Sequence, residues 1–494
     1  MQKIHHTDYD LTILGGGSGG LTAAKLSASL GARTLLIEKE RLGGECLHSG
    51  CVPSKSLIHV ARLLHQVQAA QRFLEGAMTF DTHMPQVASY IQEVISQVQD
   101  TEQQAVSGVT VRFGTATFQS PTMLSLNGFS IRSHAFLIAT GSRPALPLIP
   151  GLQETGYLTN ETVFDLTALP SSLAILGGGP VGVEIGQAFA RLGSRVTIFQ
   201  RAERLLPRED PDVSAAIARA LQADGITILT RTHVTGVSQH GERKVLTVRE
   251  AQQERSLEAE AILLAVGREA NVEGLNLEAA GVVCNEQGIV VNDVLRTSAP
   301  GVFALGDVIG GDHFSHVAAY QASVAVRNAL VPFGKQRVDG KIIPWCTFTD
   351  PEAARVGLTP AEAEQHYKQV RVVTFPYADI DRARTDQEAT GFLKLVLAGK
   401  REEIVGAHLV GAQAGELLGE LTLAMQQHLP LSALRSTIHT YPTLSTGIQQ
   451  LAFEAYLQGA ELRRHRRMIQ ALLALRRLLK RETHLSSVPT KTQG

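Results

Sequence analysis

A repeat within the chain limits its fold more than any other feature of the sequence. The stretch Leu11–Gly20, which reads LTILGGGSGG, returns 162 residues later as Leu173–Gly182, which reads LAILGGGPVG. The likeness continues from Gly31–Glu38 to Gly193–Gln200. Each copy has an apolar run, a Gly-rich turn, an amphipathic stretch and a second apolar run, which predicts strand, turn, helix and strand.

Both copies carry the pattern G-x-G-x-x-G directly after a predicted strand and at the start of a predicted helix. The first glycine permits the tight turn, the second lets the backbone approach a pyrophosphate, and the third lets helix and strand pack closely. The free N–H groups at the helix N-terminus then favour an anion. We therefore predict two dinucleotide sites, formed around Gly15, Gly17 and Gly20 and around Gly177, Gly179 and Gly182.

The two copies differ where the second strand ends. The first copy has Glu38 there, and a carboxylate accepts hydrogen bonds from a ribose diol. The second copy has Gln200 at the same offset, followed by Arg201 and Arg204. Since guanidinium groups bind a 2′-phosphate and a carboxylate repels it, we predict that the second site prefers NADPH to NADH. The alternative that these two arginines are solvated surface charges stays open.

Length and composition exclude several classes of protein. The chain has 494 residues, of which 44% are hydrophobic and 19% charged, as in globular proteins of two to four domains. A net charge of −1 gives no overall basic field for nucleic acid. We also expect no membrane span, no secretory signal and a cytoplasmic location, because no apolar run is long enough. Four cysteines are too few for a disulfide scaffold, so any disulfide here is expected to be catalytic.

Two of the cysteines, Cys46 and Cys51, lie in the segment Gly43–Lys55, which reads GGECLHSGCVPSK. If this segment is helical, the thiols lie about one turn apart and can form a disulfide. A helix is predicted to follow, so Cys51 lies near a helix N-terminus, where a thiolate is favoured. Two alternatives stay open: a metal half-site, which needs two further ligands, and a pair of inert thiols. The other cysteines, Cys284 and Cys346, are isolated.

Three further predicted strands end in turns that contain candidate binding residues. These turns contain Thr140 and Gly141, then Gly267, and finally Asp307. The composition changes near residue 341, where mixed strands and helices begin. The predicted fold class is α/β, with two doubly wound dinucleotide-binding domains followed by a C-terminal α+β domain.

Together these motifs resemble the class I flavoprotein pyridine nucleotide-disulfide oxidoreductase family over about residues 8–460, most specifically in Gly43–Lys55. The resemblance implies an FAD-binding domain at 1–150 and 271–340, an NAD(P)H-binding domain at 151–270 and a dimerisation domain at 341–460. It also implies a homodimer whose active site takes residues from both subunits.

The resemblance further implies a role for individual residues. Asp307 is expected to bind the ribityl chain of FAD, and Lys55 is expected to lie beside the flavin and pair with Glu184. The implied FAD contacts are Gly15, Gly17, Gly20, Glu38, Lys55, Ala116, Thr140, Gly141 and Asp307. The implied nicotinamide-nucleotide contacts are Gly177, Gly179, Gly182, Arg201, Arg204 and Gly267.

By the same resemblance, electrons pass from NADPH to the flavin and then to a Cys46–Cys51 disulfide. Cys51 is implied to be the charge-transfer thiolate nearer the flavin. Cys46 is implied to be the interchange thiol that meets the substrate.

The chain departs from this family near residue 441. Members that reduce disulfides have a His-Pro pair there and a Glu four residues after the Pro, whereas this chain has Tyr441 and Thr446. Tyrosine, with a pKa near 10, is a poor proton shuttle, and His439 could replace the missing histidine only if the loop shifted by two residues. Mercuric reductases have a tyrosine at this position, so we expect a catalytic role for Tyr441 and a metal ion, Hg(II), or a thiol as substrate.

Other functions are left open. One is a disulfide oxidoreductase that resembles dihydrolipoamide dehydrogenase or serves in a multienzyme complex, and another is electron transfer to oxygen or quinones. The sequence also has no vicinal cysteine pair near its C-terminus, so Hg(II) would have to reach Cys46 directly.

The last segment, 461–494, is basic, and its apolar positions recur at a spacing of three or four residues. It predicts a helix that contacts a membrane surface or a partner through residues 462–481, or one that packs on its own dimer. Residues 483–494 are expected to be disordered, and His5 and His6 to be a polar terminus. Residues 381–384 are expected to form a loop of ion pairs.

Overall fold

The computed structural model describes residues 7–75, 81–250, 253–340 and 342–485. His5, His6 and residues 486–494 lie outside the described residues. The chain forms two compact units, Met1–Asp350 and Pro351–Gly494, so the boundary falls slightly later than the composition change at residue 341. The division of the first unit at residues 150 and 270 stays a prediction.

The first sheet of the first unit contains the first copy of the repeat. Its parallel strands follow the order Thr110–Phe113, Thr34–Glu38, Thr7–Leu14, Phe129–Ile138 and Val302–Ala304. The strands Met123–Leu126 and Ala116–Ser120 extend it in antiparallel fashion. The central strands are continuous apolar runs because helices and loops cover the sheet on both faces.

The second sheet contains the second copy and repeats the same arrangement. Its four parallel strands follow the order Thr227–Leu229, Arg195–Phe199, Ser172–Leu176 and Ala261–Leu264. The strand register is also shared, since Leu11 faces Thr34 in the first sheet and Leu173 faces Val196 in the second. The predicted repeat is therefore confirmed down to the pairing of individual residues.

Helices begin immediately after both Gly-rich turns, at Ser18–Ser29 and Pro180–Leu192. The other helices of the first unit are Gly44–His48, Cys51–Ala70, Met84–Ala105, Leu152–Thr155, Pro211–Ala223, Leu277–Ala280 and Ser315–Leu330. A separate antiparallel sheet consists of Thr232–His240, Arg243–Glu250 and Gln253–Ala259. Short strands lie at Ser142–Pro144, Arg268–Ala270, Cys284–Asn285, Gly288–Ile289 and Pro344–Thr347.

The second unit has antiparallel strands in the order Glu352–Gly357, Glu403–Gly411, Phe392–Ala398 and Val370–Pro376. Its helices are Pro360–His366, Asp381–Asp386, Ala414–Gln426, Leu431–Ser436, Thr446–Gln458 and Ala460–Leu485. The predicted fold class, two doubly wound sheets followed by an α+β unit, is confirmed.

Two local predictions in this unit were wrong. Residues 381–384 belong to a helix rather than a loop, because the ion pair of Arg382 with Asp386, at 2.5 Å, spans one helical turn. The last helix continues to Leu485, so the disordered tail predicted from residue 483 does not begin there. None of the helices in the described part of the chain is both long and apolar enough to cross a membrane.

Candidate active site

The first and third glycines of both turns are fixed by close approach of the backbone. A Cβ atom on Gly15 would lie 2.3 Å from a neighbouring backbone oxygen, and one on Gly177 would lie 2.1 Å from another. A Cβ on Gly20 or Gly182 would come within 1.8 Å and 2.0 Å of the oxygen of the first glycine of its own turn. No side chain fits at these four positions, so the sequence can form these turns only with glycine.

The second glycine of each turn instead faces open space. A Cβ on Gly179 would meet no atom within 4 Å, and one on Gly17 would have Gly44 Cα, at 3.8 Å, as its neighbour. Both residues are the N-cap of the helix that follows, where backbone N–H groups have no helical partner. The open position, the free N–H groups and the helix dipole together fit the pyrophosphate of a dinucleotide.

The residues at the end of the second strands hold the turns differently. Glu38 accepts a hydrogen bond from the Gly16 N–H at 2.6 Å and another from the Glu40 N–H at 2.9 Å. A carboxylate has about four acceptor positions, so two remain for the hydroxyls of a ribose. Gln200 accepts only a long hydrogen bond, 3.5 Å, from the Gly178 N–H.

After these strands the chain returns to the Gly-rich turn in both copies. The Gly43 N–H donates to the Gly16 oxygen at 2.8 Å, and the Leu206 N–H donates to the Gly178 oxygen at 2.9 Å. We call the returning residues 43–55 the cysteine segment and the returning residues 201–208 the arginine segment. The same backbone path therefore brings thiols to the first turn and guanidinium groups to the second.

The cysteine segment forms two helices rather than one. Cys46 lies in Gly44–His48, and Cys51 is the first residue of Cys51–Ala70, so the single helical turn considered from the spacing was wrong. The chain bends at Gly50, where a Cβ atom would lie 2.9 Å from the Glu45 oxygen. This bend brings the two thiols together from different helices, and Cys51 lies at a helix N-terminus as predicted.

Both cysteines are present as free thiols that are hydrogen-bonded to each other. The hydrogen bond from Cys51, with help from the Ser315 and Ser18 hydroxyls, lowers the pKa of Cys46 to about 6 even though burial opposes this. The same hydrogen bond and burial raise the pKa of Cys51. The reduced pair therefore holds one thiolate at neutral pH, and in this arrangement Cys46 carries it.

A buried ion pair lies beside the cysteine segment, where the resemblance implies it. Lys55 Nζ donates to Glu184 Oε2 at 2.7 Å, and Nζ also lies 4.5 Å from the centre of the Phe348 ring. The Glu184 side chain is only 6% exposed, and its other oxygen accepts the Phe348 N–H at 2.9 Å. Burial lowers the pKa of Lys55, but the Glu184 carboxylate outweighs this and raises it. Lys55 is therefore held in its charged form.

Asp307 lies in a polar cluster at the end of strand Val302–Ala304. The Ser142 hydroxyl donates to its carboxylate at 2.5 Å, and His313 Nδ1 lies 3.5 Å away. Although burial opposes it, these two partners and the nearby Arg268 charge lower the pKa of Asp307. The carboxylate is thus ionised and able to accept a ligand hydroxyl.

Two residues of this cluster, Glu45 and Arg268, were missed by sequence reasoning. Arg268 Nη1 donates to Glu45 Oε1 at 2.6 Å, and Arg268 Nε donates to the Ser142 hydroxyl at 2.8 Å. Asn160 adds a hydrogen bond to Glu45 at 2.5 Å. Arg268 therefore joins the residue beside Cys46 to the Asp307 cluster. Glu45 was visible inside the cysteine segment, but no local signal connects it with a partner 223 residues later.

The turn Thr140–Gly141 follows strand Phe129–Ile138, directly beside the strand that leads into Gly15. The Thr140 hydroxyl donates to the Asn271 oxygen at 2.7 Å, and the Gly141 oxygen accepts the Asn271 N–H at 2.9 Å. This position is the switch point of a doubly wound sheet, where ligands bind. Ala116 is buried in a hairpin strand of the same sheet, and its contact with a cofactor stays a prediction.

In the second turn, Gly267 accepts a hydrogen bond from the Ala145 N–H at 3.0 Å. Arg204 pairs with Glu203 at 3.2 Å and donates to the Pro207 oxygen at 3.1 Å. Arg201, by contrast, is exposed. Arg201 is therefore the arginine of this segment that is better placed to meet a phosphate, and the NADPH preference stays a prediction.

In the second unit, Tyr441 is 71% exposed, and its hydroxyl donates to Asp381 at 3.1 Å. This hydrogen bond and the Asp381 charge raise the pKa of Tyr441. The His439 side chain is 5% exposed, with Nε2 3.1 Å from Glu420 and Nδ1 3.0 Å from the Thr437 oxygen. Because both ring nitrogens are engaged and the ring is buried, His439 does not take the place of the missing histidine.

In the part of the chain that the structure describes, no three His, Cys, Asp or Glu side chains come together as a resident metal site requires. The polar groups of the first unit instead fit a dinucleotide that carries a flavin. Gly17 and its helix suit the pyrophosphate, Glu38 the ribose, and Asp307 a polyol chain.

Comparison with known proteins agrees with this fit. Residues 9–329 match the model of the pyridine nucleotide-disulphide oxidoreductase family, and residues 343–452 match the model of that family's dimerisation domain. The chain belongs to this family. It is therefore an FAD-dependent oxidoreductase that uses NAD(P)H, and the dimerisation domain indicates a homodimer.

Relatives in the family carry two different names. A mercuric reductase from Staphylococcus aureus is 34% identical over 449 residues, covering 90% of this chain and 82% of the relative. A mercuric reductase from Streptomyces lividans is 36% identical over 461 residues, covering 90% and 96%. A dihydrolipoyl dehydrogenase from Thermus scotoductus is 35% identical over 467 residues, covering 92% and 99%. Identity alone therefore does not separate the two activities.

Among solved structures, the HOCl-induced flavoprotein disulfide reductase RclA from Escherichia coli superposes with a TM-score of 0.82 at 31% identity. The match covers 90% of this chain and 99% of that protein. One structure of it is described as a Cu(II) complex. The family thus includes a disulfide reductase whose structure was solved with a metal ion.

Proposed function

We propose that this enzyme is an NADPH-dependent metal-ion reductase that resembles mercuric reductase. Its substrate is Hg(II), held by the thiolates of Cys46 and Cys51. The observation that carries the proposal is the residue at position 441, where the chain has tyrosine in place of the catalytic histidine of disulfide-reducing members. The tyrosine hydroxyl is engaged by Asp381 at 3.1 Å, and this contact makes the phenol a still weaker acid.

The chemistry of the two substrate classes explains why this residue matters. Reduction of a disulfide releases a thiolate that must receive a proton, so it needs an acid such as histidine. Reduction of Hg(II) consumes two electrons and no proton at the metal, since NADPH and Hg(II) give NADP⁺, a proton and elemental mercury. A site without a proton donor therefore suits a metal ion better than a disulfide.

When bound, FAD supplies the transfer of the two electrons from NADPH to the cysteine pair. The residues of the chain prepare this transfer. Cys46, with its pKa of about 6, is a thiolate at neutral pH and can bind a soft metal ion without losing a proton. The charged Lys55, held by Glu184 at 2.7 Å, favours negative charge beside the pair.

The second subunit of the homodimer would supply Tyr441. Its phenol oxygen keeps lone pairs that can face a metal ion, because the hydroxyl proton is directed to Asp381. The activity would take place in the cytoplasm, where thiols stay reduced. The names of the relatives from S. aureus and S. lividans support the same substrate class.

Anaerobic stopped-flow spectroscopy tests this proposal. The full-length, FAD-loaded enzyme is reduced with NADPH and mixed with Hg(II) as a small-thiol complex, with Cu(II), or with lipoamide or glutathione disulfide. We expect Hg(II) to reoxidise the enzyme about a hundredfold faster than either disulfide, since a general acid contributes about that factor or more. Fast turnover of a disulfide with no reoxidation by Hg(II) would overturn the proposal.

Two variants sharpen the result. Cys46→Ala is expected to abolish reoxidation by Hg(II), whereas Cys284→Ala, an exposed cysteine in a short strand, serves as the matched control and keeps it. Tyr441→His restores the histidine of the disulfide-reducing members and is expected to raise activity with lipoamide. If Tyr441→His lowers Hg(II) reduction without any gain on lipoamide, the phenol still has a role but our explanation of it fails.

The alternative function is a disulfide oxidoreductase of the dihydrolipoyl dehydrogenase kind. The relative from T. scotoductus, which is covered over 99% of its length, favours it. The same acceptor comparison decides between the two, because this alternative requires rapid lipoamide turnover by the wild-type enzyme.

A further inference from the structure

The last helix, Ala460–Leu485, begins beyond the residues that match the family, which end at 452. Its first turns are held in the second unit, where the Tyr456 hydroxyl lies 3.1 Å from His465 Nδ1. After that contact the helix leaves the unit, and every described side chain from 466 to 478 is exposed. This part of the chain is therefore not needed for the family fold and has no cover in the second unit.

The exposed part of the helix is strongly apolar on one side. Met468, Leu472 and Leu475 follow one another at the spacing that places them on one helical face, and they are 55%, 57% and 53% exposed. Ile469, Leu473 and Leu478 extend this surface with exposures of 50%, 43% and 59%. So much contiguous apolar surface on one exposed helix marks a binding surface.

Basic residues surround this apolar face. Residues 462–481 contain eight Lys and Arg and no acidic residue. Arg466 and Arg477 lie on the side of the helix opposite Met468 and Leu472, as 100° per residue requires. The remainder of the chain is acidic. Residues 462–494 contain nine of the 46 Lys and Arg but only one of the 47 Asp and Glu, which leaves a net charge of −9 on residues 1–461.

We infer that this helix binds to the surface of an anionic membrane. Its apolar face would enter the boundary between headgroups and acyl chains, while the arginines contact lipid phosphates. The helix lies on the surface rather than crossing it, since it is not apolar enough to span. Charge selects this partner over a second copy of the helix, because two such helices would bring as many as sixteen positive charges together with no acidic residue between them.

A vesicle co-sedimentation experiment with the full-length, FAD-loaded enzyme tests the inference. The vesicles consist of phosphatidylcholine alone or with about one third phosphatidylglycerol, at low salt and at about 0.5 M salt. We expect at least about tenfold more enzyme on anionic than on neutral vesicles, and loss of that binding at high salt.

Paired variants identify the surface. Leu472→Gln with Leu475→Gln, and separately Arg476→Gln with Arg477→Gln, are each expected to lower binding about tenfold. Arg249→Gln with Arg255→Gln removes the same charge from exposed strand positions and is expected to leave binding unchanged. Flavin absorbance, NADPH oxidation and the mass of the oligomer in solution are expected to be unchanged in all three, which shows that the variants are folded.

Several results would overturn the inference. These are absent binding to anionic vesicles, equal binding to neutral ones, and equal effects of the strand and helix arginine pairs. A loss of dimer mass in the leucine variant would also overturn it, because it would show that a second copy of the chain covers the helix.

Discussion

The two copies of the repeat share a backbone and differ in chemistry. Their strands pair in the same register, and the first and third glycines meet backbone oxygens at nearly equal distances. They differ at Glu38 and Gln200, and in the segment that returns to the turn. The comparison teaches that glycines and strand register specify a dinucleotide fold, whereas one side chain and one returning segment specify what each copy does with it.

The returning segments differ most in how tightly they close on the turn. In the first copy, a Cβ on Gly44 would lie 2.7 Å from Gly17 Cα, so the cysteine segment lies directly against the turn. This contact is what brings Cys46 to the Ser18 hydroxyl at the helix N-terminus. In the second copy no atom lies within 4 Å of a Cβ on Gly179, and the space stays open for a nucleotide that comes and goes.

The largest expected effect breaks the shared backbone. Gly15→Ala and Gly177→Ala should each lower the free energy of unfolding by about 3 kcal/mol, because φ is +102° and +115° and the new Cβ meets a backbone oxygen. Gly17→Ala and Gly179→Ala, where a Cβ has room, are the controls and should change stability by less than about 1 kcal/mol. Thermal unfolding followed by circular dichroism measures the difference, and equal destabilisation by all four would show that the turns are not alike.

The next effect exchanges the chemistry of the second copy for that of the first. Gln200→Glu places a carboxylate where we expect the 2′-phosphate of NADPH. It should lower kcat/KM for NADPH about a hundredfold and leave NADH much less affected. Steady-state rates with both nucleotides measure this change. An unchanged ratio between the two nucleotides would mean that Gln200 does not face the ribose.

The reverse change weakens the first copy. Glu38→Gln keeps an acceptor for the Gly16 N–H but removes the charge, so we expect FAD to be held about tenfold less tightly. The flavin released on dilution measures this, with the fold followed by circular dichroism. Retention of FAD equal to that of the wild type would argue that the Glu38 carboxylate does not bind the cofactor.

A smaller effect concerns the cysteine segment alone. Since the pKa of Cys46 is about 6 rather than 9, its alkylation in the reduced enzyme should rise with pH around a midpoint near 6. At pH 7 it should be about fivefold faster than that of an ordinary thiol, because the larger thiolate fraction outweighs its lower nucleophilicity. Iodoacetamide labelling followed by mass spectrometry gives the profile of each cysteine, and exposed Cys284 is the internal reference. A midpoint near 9 for both members of the pair would contradict this assignment.

Much of the fold could be predicted because its signals are local. The strand, turn and helix of each copy lie within about 30 residues, and glycine is required wherever backbone meets backbone, as at Gly15 and Gly177. Cys51 could be placed at a helix start because the sequence after it is helical. These features depend on neighbours in the sequence.

What could not be predicted depends on contacts between distant residues. The pair Glu45–Arg268 joins positions 223 residues apart, and Tyr441 meets Asp381 from 60 residues away. The two-helix form of the cysteine segment was missed because the bend at Gly50 depends on the closeness of Glu45 and not on spacing. Acceptor specificity is equally hidden, since it depends on a residue of the second unit.

The claim at the centre of this account is that Cys46 and Cys51 form a disulfide that NADPH reduces through FAD. The direct measurement is a thiol count in denaturant, made before and after anaerobic addition of NADPH to the full-length enzyme. With four cysteines in the chain, we predict two thiols before and four after, and no increase in Cys46→Ser. Four thiols before the addition, or an increase that Cys46→Ser retains, would contradict it.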